Sequence, residues 1–500
     1  MMLRRRDFLR AATSAALGAL AGGCSGKADS AATAPRSNSK SAIVVGGGLA
    51  GLATALQLRS AGCKVTLLEA QERLGGRVRT LRGAFADDLY ADAGAVWVSS
   101  THATLMRWIE AYRLELQATR VDLPKPLATR RFIAGTHIDL SPTGTNCVRR
   151  GAAAPLPIDL PDHEKALGFA GIEQKYLHSA YAEIGDPLDP LWPDAAVAQY
   201  DGISFTDFLR RRGASEPAIA WLRMGILEDW GEGCDHVSAL CVLRDGALLH
   251  RRPPETFILR GGTSRLPEAM AKELGDAVQL NRPVVAIATE KDRVLVTVDA
   301  GGGATSTLDA DHVVVAVPFS VVNRIRFTPP LSAAKRAAIN ELPYTSVTRV
   351  FLQTASRPWL DEGLYGDALT DLPIQATMDA SRGQPGRRGI LSTYTAGAAA
   401  RTFAELSEED RLERAGRDVA QIFPAVEGMI ESGRSVVWDQ DPWAKGAFAW
   451  FRPGQVLGLR EAICKPEGRI HFAGEHASDC PGWMEGALLS ANRAAAEILG

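Results

Sequence analysis

The sequence predicts an α/β fold, and three stretches of the chain carry that prediction. Residues 41–45 form a short β-branched run, followed at once by a glycine-rich turn, helical spacing of apolar residues and a second apolar run at 64–68. A third buried-strand pattern occupies Val313–Val317, and a strand followed by a helix ends the chain at residues 469–499. Strands that alternate with helices predict a mostly parallel sheet with helices on its faces.

Composition excludes several classes of protein. With 46% hydrophobic and 23% charged residues, the 500-residue chain is close to the average for globular proteins, which excludes wholesale disorder and a collagen-like repeat. Lys plus Arg number 56 against 58 for Asp plus Glu, and this near-balance argues against a nucleic-acid partner. No apolar run reaches the ~18 residues that a membrane span needs. The 48 glycines favour tight turns and close approach of backbone to a ligand.

The first forty residues resemble an export signal and are set apart from the fold. Arg5-Arg6-Asp7-Phe8-Leu9 is similar to the twin-arginine signal, whose pathway exports folded proteins, although an ordinary basic signal shares part of this layout. Cys24 follows a stretch similar to an imperfect lipoprotein cleavage site and is a candidate lipid anchor; cleavage without lipid near Ala28 or Ala34 stays open. We expect a periplasmic or exported protein, with membrane anchoring as a lipoprotein as the alternative.

Seven cysteines are spread through the chain without the spacing of a metal site. No CxxC pair occurs, and no Cys/His cluster has zinc-type spacing, so no metal ion is predicted. Cys234 and Cys241 could pair in an exported protein, whereas most of the seven fit better as small buried apolar residues.

The glycine-rich turn has the context of a dinucleotide-binding site. Gly46 makes the tight turn after the first strand, Gly48 lets the backbone approach a pyrophosphate, and Gly51 allows helix and strand to pack closely. Leu49-Ala50 begin the helix, whose free N–H groups and partial positive charge suit phosphates. Glu69 ends the second strand, where a carboxylate accepts hydrogen bonds from a ribose diol. The full order of strand, turn, helix, strand and acid predicts a bound dinucleotide.

The residues after Glu69 distinguish FAD from a nicotinamide cofactor. The stretch 69–77 reads Glu-Ala-Gln-Glu-Arg-Leu-Gly-Gly-Arg and adds a second glycine pair and an arginine, which a bound nicotinamide does not need. A permanently buried FAD does need them, because its diphosphate and ribityl chain must be enclosed. Residues 46–80 resemble the FAD-binding opening of the flavin-containing amine oxidase family, which includes monoamine, polyamine and L-amino-acid oxidases. The resemblance implies cofactor contacts at Glu69, Ala70, Arg73, Gly76 and Arg77.

Further segments match the cofactor-binding positions of this family. Asp92–Trp97 resembles the segment beside the flavin ring, Val284 lies where backbone meets the adenine, and Gly474-Glu475 resembles the strand-then-acid form that closes the site. Ala447 occupies the position of the cysteine that monoamine oxidases bond to flavin, so the resemblance implies FAD held without a covalent bond. Outside the opening segment, the implied cofactor contacts are Gly94, Ala95, Val96, Trp97, Val284, Trp438, Gly474, Glu475, Trp483 and Met484.

Three residues match the reacting end of the family's site. Phe448 and Trp483 align with the two aromatic positions that sandwich the amine in front of the flavin, where facing rings exclude water and align the substrate C–H bond. Arg349 lies where the family presents a lysine to the flavin through a water, but an arginine stays protonated. This departure disfavours rapid reaction with oxygen and leaves hydride removal to the flavin. His476 is a candidate base, although the family pattern favours a structural role.

The resemblance implies FAD-dependent oxidation of a small-molecule amine. Hydride passes from the carbon next to nitrogen to the flavin, the imine is hydrolysed to an aldehyde or ketone, and oxygen or an exported redox protein accepts the electrons. An amine dehydrogenase, a desaturase or protoporphyrinogen-oxidase-like flavoenzyme, and a non-catalytic FAD-binding protein stay open as alternatives. The segment after Trp97 lacks the arginine that L-amino-acid oxidases place for a substrate carboxylate, which disfavours that activity.

The same resemblance implies a Rossmann-like FAD-binding domain, discontinuous in sequence, and an inserted substrate-binding domain of mixed sheet and helices. Residues 1–40 are assigned to signal peptide and linker. The expected FAD-binding stretches are 41–100, 251–318 and 435–500, and the expected substrate-binding stretches are 101–250 and 319–434. In the latter, residues 102–116 have helical spacing, and the acids Glu228, Asp229 and Glu232 are candidates to attract a cationic amine, against the alternative of a solvated turn.

Overall fold

A five-stranded parallel sheet forms the centre of the computed structural model, which describes residues 40–119, 127–140, 158–187, 189, 192–226, 230–251 and 255–500. Every neighbouring pair of its strands is parallel. Across the sheet the strands follow the order Val278–Gln279, Lys64–Leu68, Ser41–Val45, His312–Val315 and Ile470–Phe472. Because these strands come from widely separated parts of the chain, the predicted discontinuous α/β architecture is confirmed.

The glycine turn forms where a helix starts immediately after the first strand of the sheet. Gly46 adopts a φ of +107°, a conformation that L side chains rarely take. A Cβ atom at Gly51 would lie 1.9 Å from the carbonyl oxygen of Gly46, so only glycine allows this close packing. The helix Leu49–Ser60 is buried over almost its whole length and packs against the C-terminal helix Met484–Leu499. A helix that is apolar all round belongs in the interior of a domain, as here.

A second, four-stranded sheet contains the hairpin that the sequence predicts. Val284–Glu290 and Arg293–Gly301 pair in antiparallel fashion across a short polar turn. Val294, Val296 and Val298 are fully buried, which is the alternation expected of a strand with one face on the core. In spatial order the strands are Ala304–Ala310, Arg293–Gly301, Val284–Glu290 and Arg326–Thr328.

A seven-stranded mixed sheet forms the other large layer. Its strand Val347–Thr354 is buried at every residue, because a strand pairs with it on each side and the helix Glu408–Ile422 packs against it. This strand carries Arg349 into the interior. The spatial order of strands is Ile430–Val437, Val347–Thr354, Gly389–Ala396, Ala376–Asp379, Leu364–Thr370, Ala128–Ile133 and Thr136–Leu140.

Two small sheets and further helices complete the described chain. The small sheets pair Thr80–Leu81 with Ala91–Asp92, and Thr256–Leu259 with both Val98–Ser99 and Leu116–Ala118. The remaining α-helices are Ala103–Ala111, Asp162–Lys165, Gly168–Glu173, Ser179–Glu183, Ala195–Ala198, Phe205–Arg211, Glu216–Ile226, Ala239–Arg251, Arg265–Leu274, Phe319–Val322, Ala333–Glu341, Pro358–Asp361, Gly397–Glu405 and Gln455–Cys464. One turn of π-helix, Gln174–His178, joins two of them.

The structure corrects one local prediction and decides one open alternative. The helix predicted over residues 102–116 ends at Ala111, because Arg113 takes a φ of +52° and the chain then enters the strand Leu116–Ala118. The pairing of Cys234 with Cys241, which the sequence leaves open, does not occur, since both are buried free thiols. Burial raises the pKa of Cys234 to about 12, so this thiol stays protonated and unreactive.

The predictions for the N-terminal segment and for the domain boundaries remain predictions. The predicted export signal, with its candidate lipid anchor Cys24, lies outside the described residues. Within the described ranges, no helix combines the length and apolar character needed to cross a membrane. The boundary residues given above for the two domains stay a prediction.

Candidate active site

One cavity brings together most of the residues that the sequence predicts for the site. It begins at the glycine turn, follows the segment around residue 95 and reaches the aromatic residues near the C-terminus. The predicted residues on its wall are Gly46, Gly48, Leu49, Ala50, Glu69, Ala70, Gly76, Arg77, Gly94, Ala95, Val96, Trp97, Val284, Arg349, Trp438, Phe448, Gly474, Glu475, Trp483 and Met484. Gly51 and Arg73 do not reach the wall, because Gly51 packs against the turn and Arg73 lies behind it.

The glycines of the turn leave space where a diphosphate would need it. A Cβ atom built on Gly48 would meet no protein atom within 4 Å, and one on Gly76 would meet only the Cα of Gly48, at 3.6 Å. Both glycines line the cavity, so this empty volume is the cavity itself. The helix Leu49–Ser60 points its N-terminal N–H groups at the same place. The arrangement fits the diphosphate of FAD.

Glu69 is held at the cavity wall by backbone hydrogen bonds. Its Oε2 accepts from the N–H of Gly47 at 2.6 Å, and its Oε1 accepts from the N–H of Gln71 at 2.8 Å. Burial raises the pKa of this carboxyl, and the two N–H groups oppose that rise. A carboxylate fixed in this way keeps lone pairs for the hydroxyls of a ribose.

Arg77 and Glu475 connect the opening segment to the reacting end. The Arg77 Nη1 donates to Glu475 Oε1 at 2.8 Å and to the carbonyl of Ala447 at 3.0 Å. Glu475 also accepts from the N–H of Gly482 at 2.8 Å and from that of Ala449 at 3.3 Å. This pair therefore fixes both loops that carry the predicted aromatic residues.

Arg73 has a buried nitrogen that the protein does not satisfy. Its Nη1 donates to the carbonyl of Gly76 at 2.9 Å. Its Nη2 is buried without a hydrogen bond and lies 3.6 Å from Asp441 Oδ2. Because Arg73 does not line the cavity, it acts on the site through the carbonyl of Gly76 and through Asp441, which are both on wall residues.

Arg349 places a fixed positive charge at the cavity wall. Its side chain is buried, and its Nε donates to the carbonyl of Thr393 at 2.9 Å while Nη2 donates to Ser392 Oγ at 3.1 Å. The guanidinium carbon lies 5.6 Å from the centre of the Tyr394 ring. Burial raises the pKa of the nearby Asp92, and the charge of Arg349 opposes that rise. The guanidinium is held by protein groups on several sides.

Phe448 and Trp483 come together at the far end of the cavity. A Cβ atom on Gly482 would lie 3.3 Å from the Phe448 ring, so that ring packs against the turn that precedes Trp483. The Trp483 ring meets His102 edge-on with centroids 5.0 Å apart. Trp438 is buried and donates from Nε1 to the carbonyl of Ala93 at 3.0 Å. These rings give the cavity an apolar end that would exclude water from a slim substrate.

His476 is enclosed away from the cavity wall. The ring is buried, and neither ring nitrogen has a hydrogen-bond partner within the described chain. Burial lowers the pKa of His476 well below its usual range, so the imidazole is neutral near pH 7. Its ring centroid lies 4.4 Å from that of Phe319. A neutral core histidine agrees with the structural role that the sequence favours.

Several cavity residues have no sequence signal and come from tertiary packing alone. Tyr394 lies on a strand of the large sheet, and Asp245 lies on the helix Ala239–Arg251. Neither residue belongs to a motif in the sequence, so only the approach of their elements to the cavity reveals them. Arg324 and Met378 are further examples.

The acids proposed to attract an amine do not form a recognition site in the described chain. Glu232 pairs with Arg401 at 2.9 Å and accepts from the N–H of Ser346 at 3.1 Å, which are structural contacts. It does not line the cavity. Glu228 and Asp229 lie outside the described residues.

Comparison with known proteins decides the family. The sequence profile of the family described as flavin-containing amine oxidoreductase matches residues 49–499, which is most of the chain. The chain belongs to the flavin-containing amine oxidoreductase family. As a member it is an FAD-dependent amine oxidoreductase.

Two relatives show how far the family likeness extends. YobN of Bacillus subtilis is 32% identical over 92% of this chain and 94% of its own length. An L-amino-acid oxidase of Mus musculus is 32% identical over 91% of this chain and 70% of its own length. The likeness therefore covers both the glycine turn and the C-terminal aromatic residues.

Two solved structures share the fold of this family member. Cyclohexylamine oxidase from Brevibacterium oxydans IH-35A superposes with a TM-score of 0.77 at 23% identity, covering 92% of this chain and 98% of that one. Putrescine oxidase bound to putrescine superposes with a TM-score of 0.75 at 23% identity, covering 92% and 99%. At this identity the likeness establishes the fold, and the predicted α/β architecture with an FAD domain and a substrate domain agrees with it.

Proposed function

We propose that this flavoenzyme oxidises a primary amine by removing hydride from the carbon next to nitrogen, and that its FAD is held without a covalent bond. One observation carries the proposal: a single cavity joins the glycine turn to the paired aromatic residues Phe448 and Trp483. The imine product would be hydrolysed to an aldehyde or ketone. When bound, FAD supplies the acceptor for the hydride.

The residues of the chain would position and enclose the reactants. Phe448 and Trp483 would hold the amine and exclude water, which aligns its C–H bond for transfer. Arg349 would place positive charge near the reacting end. The N-terminus of the helix Met484–Leu499 adds partial positive charge at the same wall. Ala447 lines the cavity and has no nucleophile to bond to a flavin, which supports non-covalent binding.

The substrate amine must be neutral when it reacts. A protonated nitrogen has no lone pair to assist departure of the hydride, so reaction requires the free amine. His476 does not line the cavity, and this supports a reaction without that residue as base. Oxidation should therefore become faster as pH rises toward the pKa of the substrate.

An L-amino acid is a second candidate substrate. The relatives from Bacillus subtilis and Mus musculus both bear the name of an L-amino-acid oxidase, which favours it. Against it, Trp97 and the residues that follow it provide no arginine for a carboxylate. Arg349 is a cation on the wall of the cavity, yet its Nε and Nη2 already donate to the neighbouring strand Gly389–Ala396. We favour an amine without a reacting-centre carboxylate.

An aerobic steady-state screen tests the proposed function. The purified holoenzyme is mixed with primary amines and L-amino acids, and hydrogen peroxide and carbonyl product are measured together. Equal amounts of peroxide and aldehyde or ketone support an amine oxidase. Carbonyl product that forms only with an added artificial electron acceptor favours the dehydrogenase, and a 2-oxo acid favours the amino-acid oxidase. No product from any amine contradicts the proposal.

We also propose that the protein is exported by a twin-arginine signal. The motif Arg5-Arg6 followed by a short apolar core supports this proposal, as does the need to assemble a flavoprotein before export. Replacing both arginines by lysine should retain the protein in the cytoplasm. A Cys24→Ser variant should lose membrane association only if this cysteine is lipidated, and unchanged fractionation would contradict the anchor.

A further inference from the structure

Asp245 differs from the other acidic side chains on the wall of the cavity. Within the described chain these acids are Glu69, Asp245, Asp441 and Glu475. Each of the other three accepts at least one hydrogen bond from a backbone N–H group. Asp245 instead accepts at Oδ1 from the Nε of its neighbour Arg244, at 3.0 Å. Its Oδ2 accepts no hydrogen bond from the described residues.

Asp245 lies on the wall of the cavity that also contains Phe448 and Trp483. Burial raises the pKa of Cys480 to about 12 and the negative charge of Asp245 adds to that rise, and Cys480 directly precedes the wall residues Pro481 and Gly482. Trp230 lines the same cavity. Asp245 is enclosed by protein, yet 20% of its side-chain surface is accessible. Since Asp245 is a wall residue, this accessible surface faces the cavity.

A carboxylate in this position favours a cation opposite it. Transfer of a charge from water into an apolar enclosure is costly unless the charge is paired and hydrogen-bonded. Burial raises the pKa of Asp245 and the Arg244 guanidinium opposes the rise, so desolvation is only partly offset. A positive group of a bound molecule would complete the pairing. That group is not the reacting nitrogen, because hydride removal requires a neutral amine.

We infer that Asp245 binds a second, non-reacting cationic group of the substrate, so that the enzyme prefers primary amines that carry two positive charges. This inference rests on the proposed function. The chemistry is shared by a diamine and by a basic L-amino acid. In each, one amino group lies between the aromatic walls while the other pairs with the carboxylate. Asp245 would thus set specificity and take no part in the transfer.

Matched substrate pairs test this inference on the holoenzyme. The pairs are putrescine against butylamine and L-lysine against L-norleucine, which differ mainly in the second cation. We expect kcat/KM in one pair to favour the dication by about tenfold or more, corresponding to ~1.4 kcal/mol. The Asp245→Asn variant should reduce that ratio about tenfold, and Asp245→Glu should keep part of it. The pair that shows the effect identifies the source of the second amine.

Controls separate recognition from a general loss of structure. Asp235→Asn makes the same chemical change at an exposed acid paired with Arg223, outside the cavity, and should leave the ratio unchanged. The Asp245→Asn variant could fail to fold because it leaves Arg244 unpaired, and in that case the double variant Arg244→Gln/Asp245→Asn removes both charges together. If neither variant folds, the ratio of kcat/KM values within each substrate pair of the wild-type enzyme decides whether the second cation is recognised.

The outcomes distinguish this inference from the proposed function. A wild-type ratio near one in both pairs, or a ratio that survives Asp245→Asn, overturns the role of Asp245 while amine oxidation stands. If neither these four compounds nor any amine of the aerobic screen is oxidised, the proposed function fails. Anaerobic titration of the flavin spectrum then compares binding within each pair. Tighter binding of the dication that is lost in Asp245→Asn supports Asp245, and equal binding overturns it.

Discussion

Arg77 and Glu475, which lie 398 residues apart in the chain, are joined by a hydrogen bond of 2.8 Å between Nη1 and Oε1. Both side chains are largely buried and line the cavity. Glu475→Gln removes the charge while keeping the shape, so Arg77 loses its ionic partner next to the cofactor space. We expect FAD to dissociate at least about tenfold more readily, since a hydrogen bond to a charged group contributes ~1.5–3 kcal/mol. Fluorescence of released flavin measures this change.

An exposed pair provides the control for that variant. Arg210 and Glu216 lie 2.7 Å apart, and both are about half or more exposed. Glu216→Gln should leave FAD binding unchanged and stability within about 1 kcal/mol. Equal FAD affinity in Glu475→Gln and the wild type would contradict the role given to the buried pair.

Two glycines of the turn should respond differently to alanine. A Cβ at Gly48 meets open space, whereas one at Gly51 meets the Gly46 carbonyl oxygen at 1.9 Å. Gly48→Ala should therefore leave the apoprotein stable and lower FAD affinity about 100-fold or more, because the methyl group occupies cofactor space. Gly51→Ala should destabilise the apoprotein itself by ~1–3 kcal/mol. Thermal melting of apoprotein and flavin titration measure the two effects.

A glycine away from the cavity provides the matched control. Gly458 lies in the helix Gln455–Cys464, and a Cβ there meets no atom within 4 Å. Gly458→Ala should raise stability by ~0.5–1 kcal/mol and leave FAD binding unchanged. Normal FAD affinity in Gly48→Ala would show that the diphosphate does not lie at the turn.

The aromatic wall at Phe448 should affect catalysis more than cofactor binding. Phe448→Ala opens the end of the cavity, so water enters and the amine loses its alignment, which lowers kcat/KM about 100-fold. Phe448→Tyr keeps the ring and should stay within about threefold of the wild type. Steady-state kinetics with the best substrate measure both, with the flavin spectrum as a check on occupancy. Equal kcat/KM values in the alanine and tyrosine variants would contradict this role of the Phe448 ring.

Lys335 should make stability depend on pH. Burial lowers the pKa of Lys335 to about 7, and its Nζ donates to the carbonyl of Ile463 at 2.7 Å. The unfolded lysine titrates near ~10.4, so between these two values the unfolded chain binds more protons than the folded one, and stability rises with pH. The stability of Lys335→Met relative to wild type should therefore fall by a few kcal/mol from pH 7 to 10.

Urea unfolding of both proteins at each pH measures this difference. Lys272→Met replaces an exposed helical lysine and should show no such trend with pH. The lost hydrogen bond to Ile463 in Lys335→Met changes stability by an amount that does not vary with pH, so it does not mask the trend. A difference that stays constant across the range would mean that Lys335 is protonated in the folded protein.

The sequence predicts those parts of the site that depend on local backbone geometry. Gly46 and Gly51 are predictable because a tight turn and close helix packing require glycine at fixed spacing. Glu69 is predictable because it ends the strand that follows. Asp245 and Tyr394 are not, because each reaches the cavity only through the packing of distant elements. Nothing in the residues beside them distinguishes a cavity wall from an ordinary buried face.

The difference between local signals and tertiary packing also explains why the helix predicted over residues 102–116 is too long. Apolar spacing over residues 102–116 fits a helix, but the left-handed conformation of Arg113 ends it early and sends the next segment into pairing with Thr256–Leu259. That pairing is a tertiary contact with no local signature. The acids around Glu232 likewise resemble an exposed cluster in sequence, whereas Glu232 is used to hold Arg401 and Ser346.

Anaerobic titration of the purified protein with its best amine shows whether the bound flavin oxidises amines. We expect a yellow protein whose flavin absorbance disappears with one equivalent of amine and whose FAD is released into solution on acid denaturation. A protein that binds no flavin, that retains the flavin covalently, or whose bound FAD stays oxidised with every primary amine would contradict the proposed function.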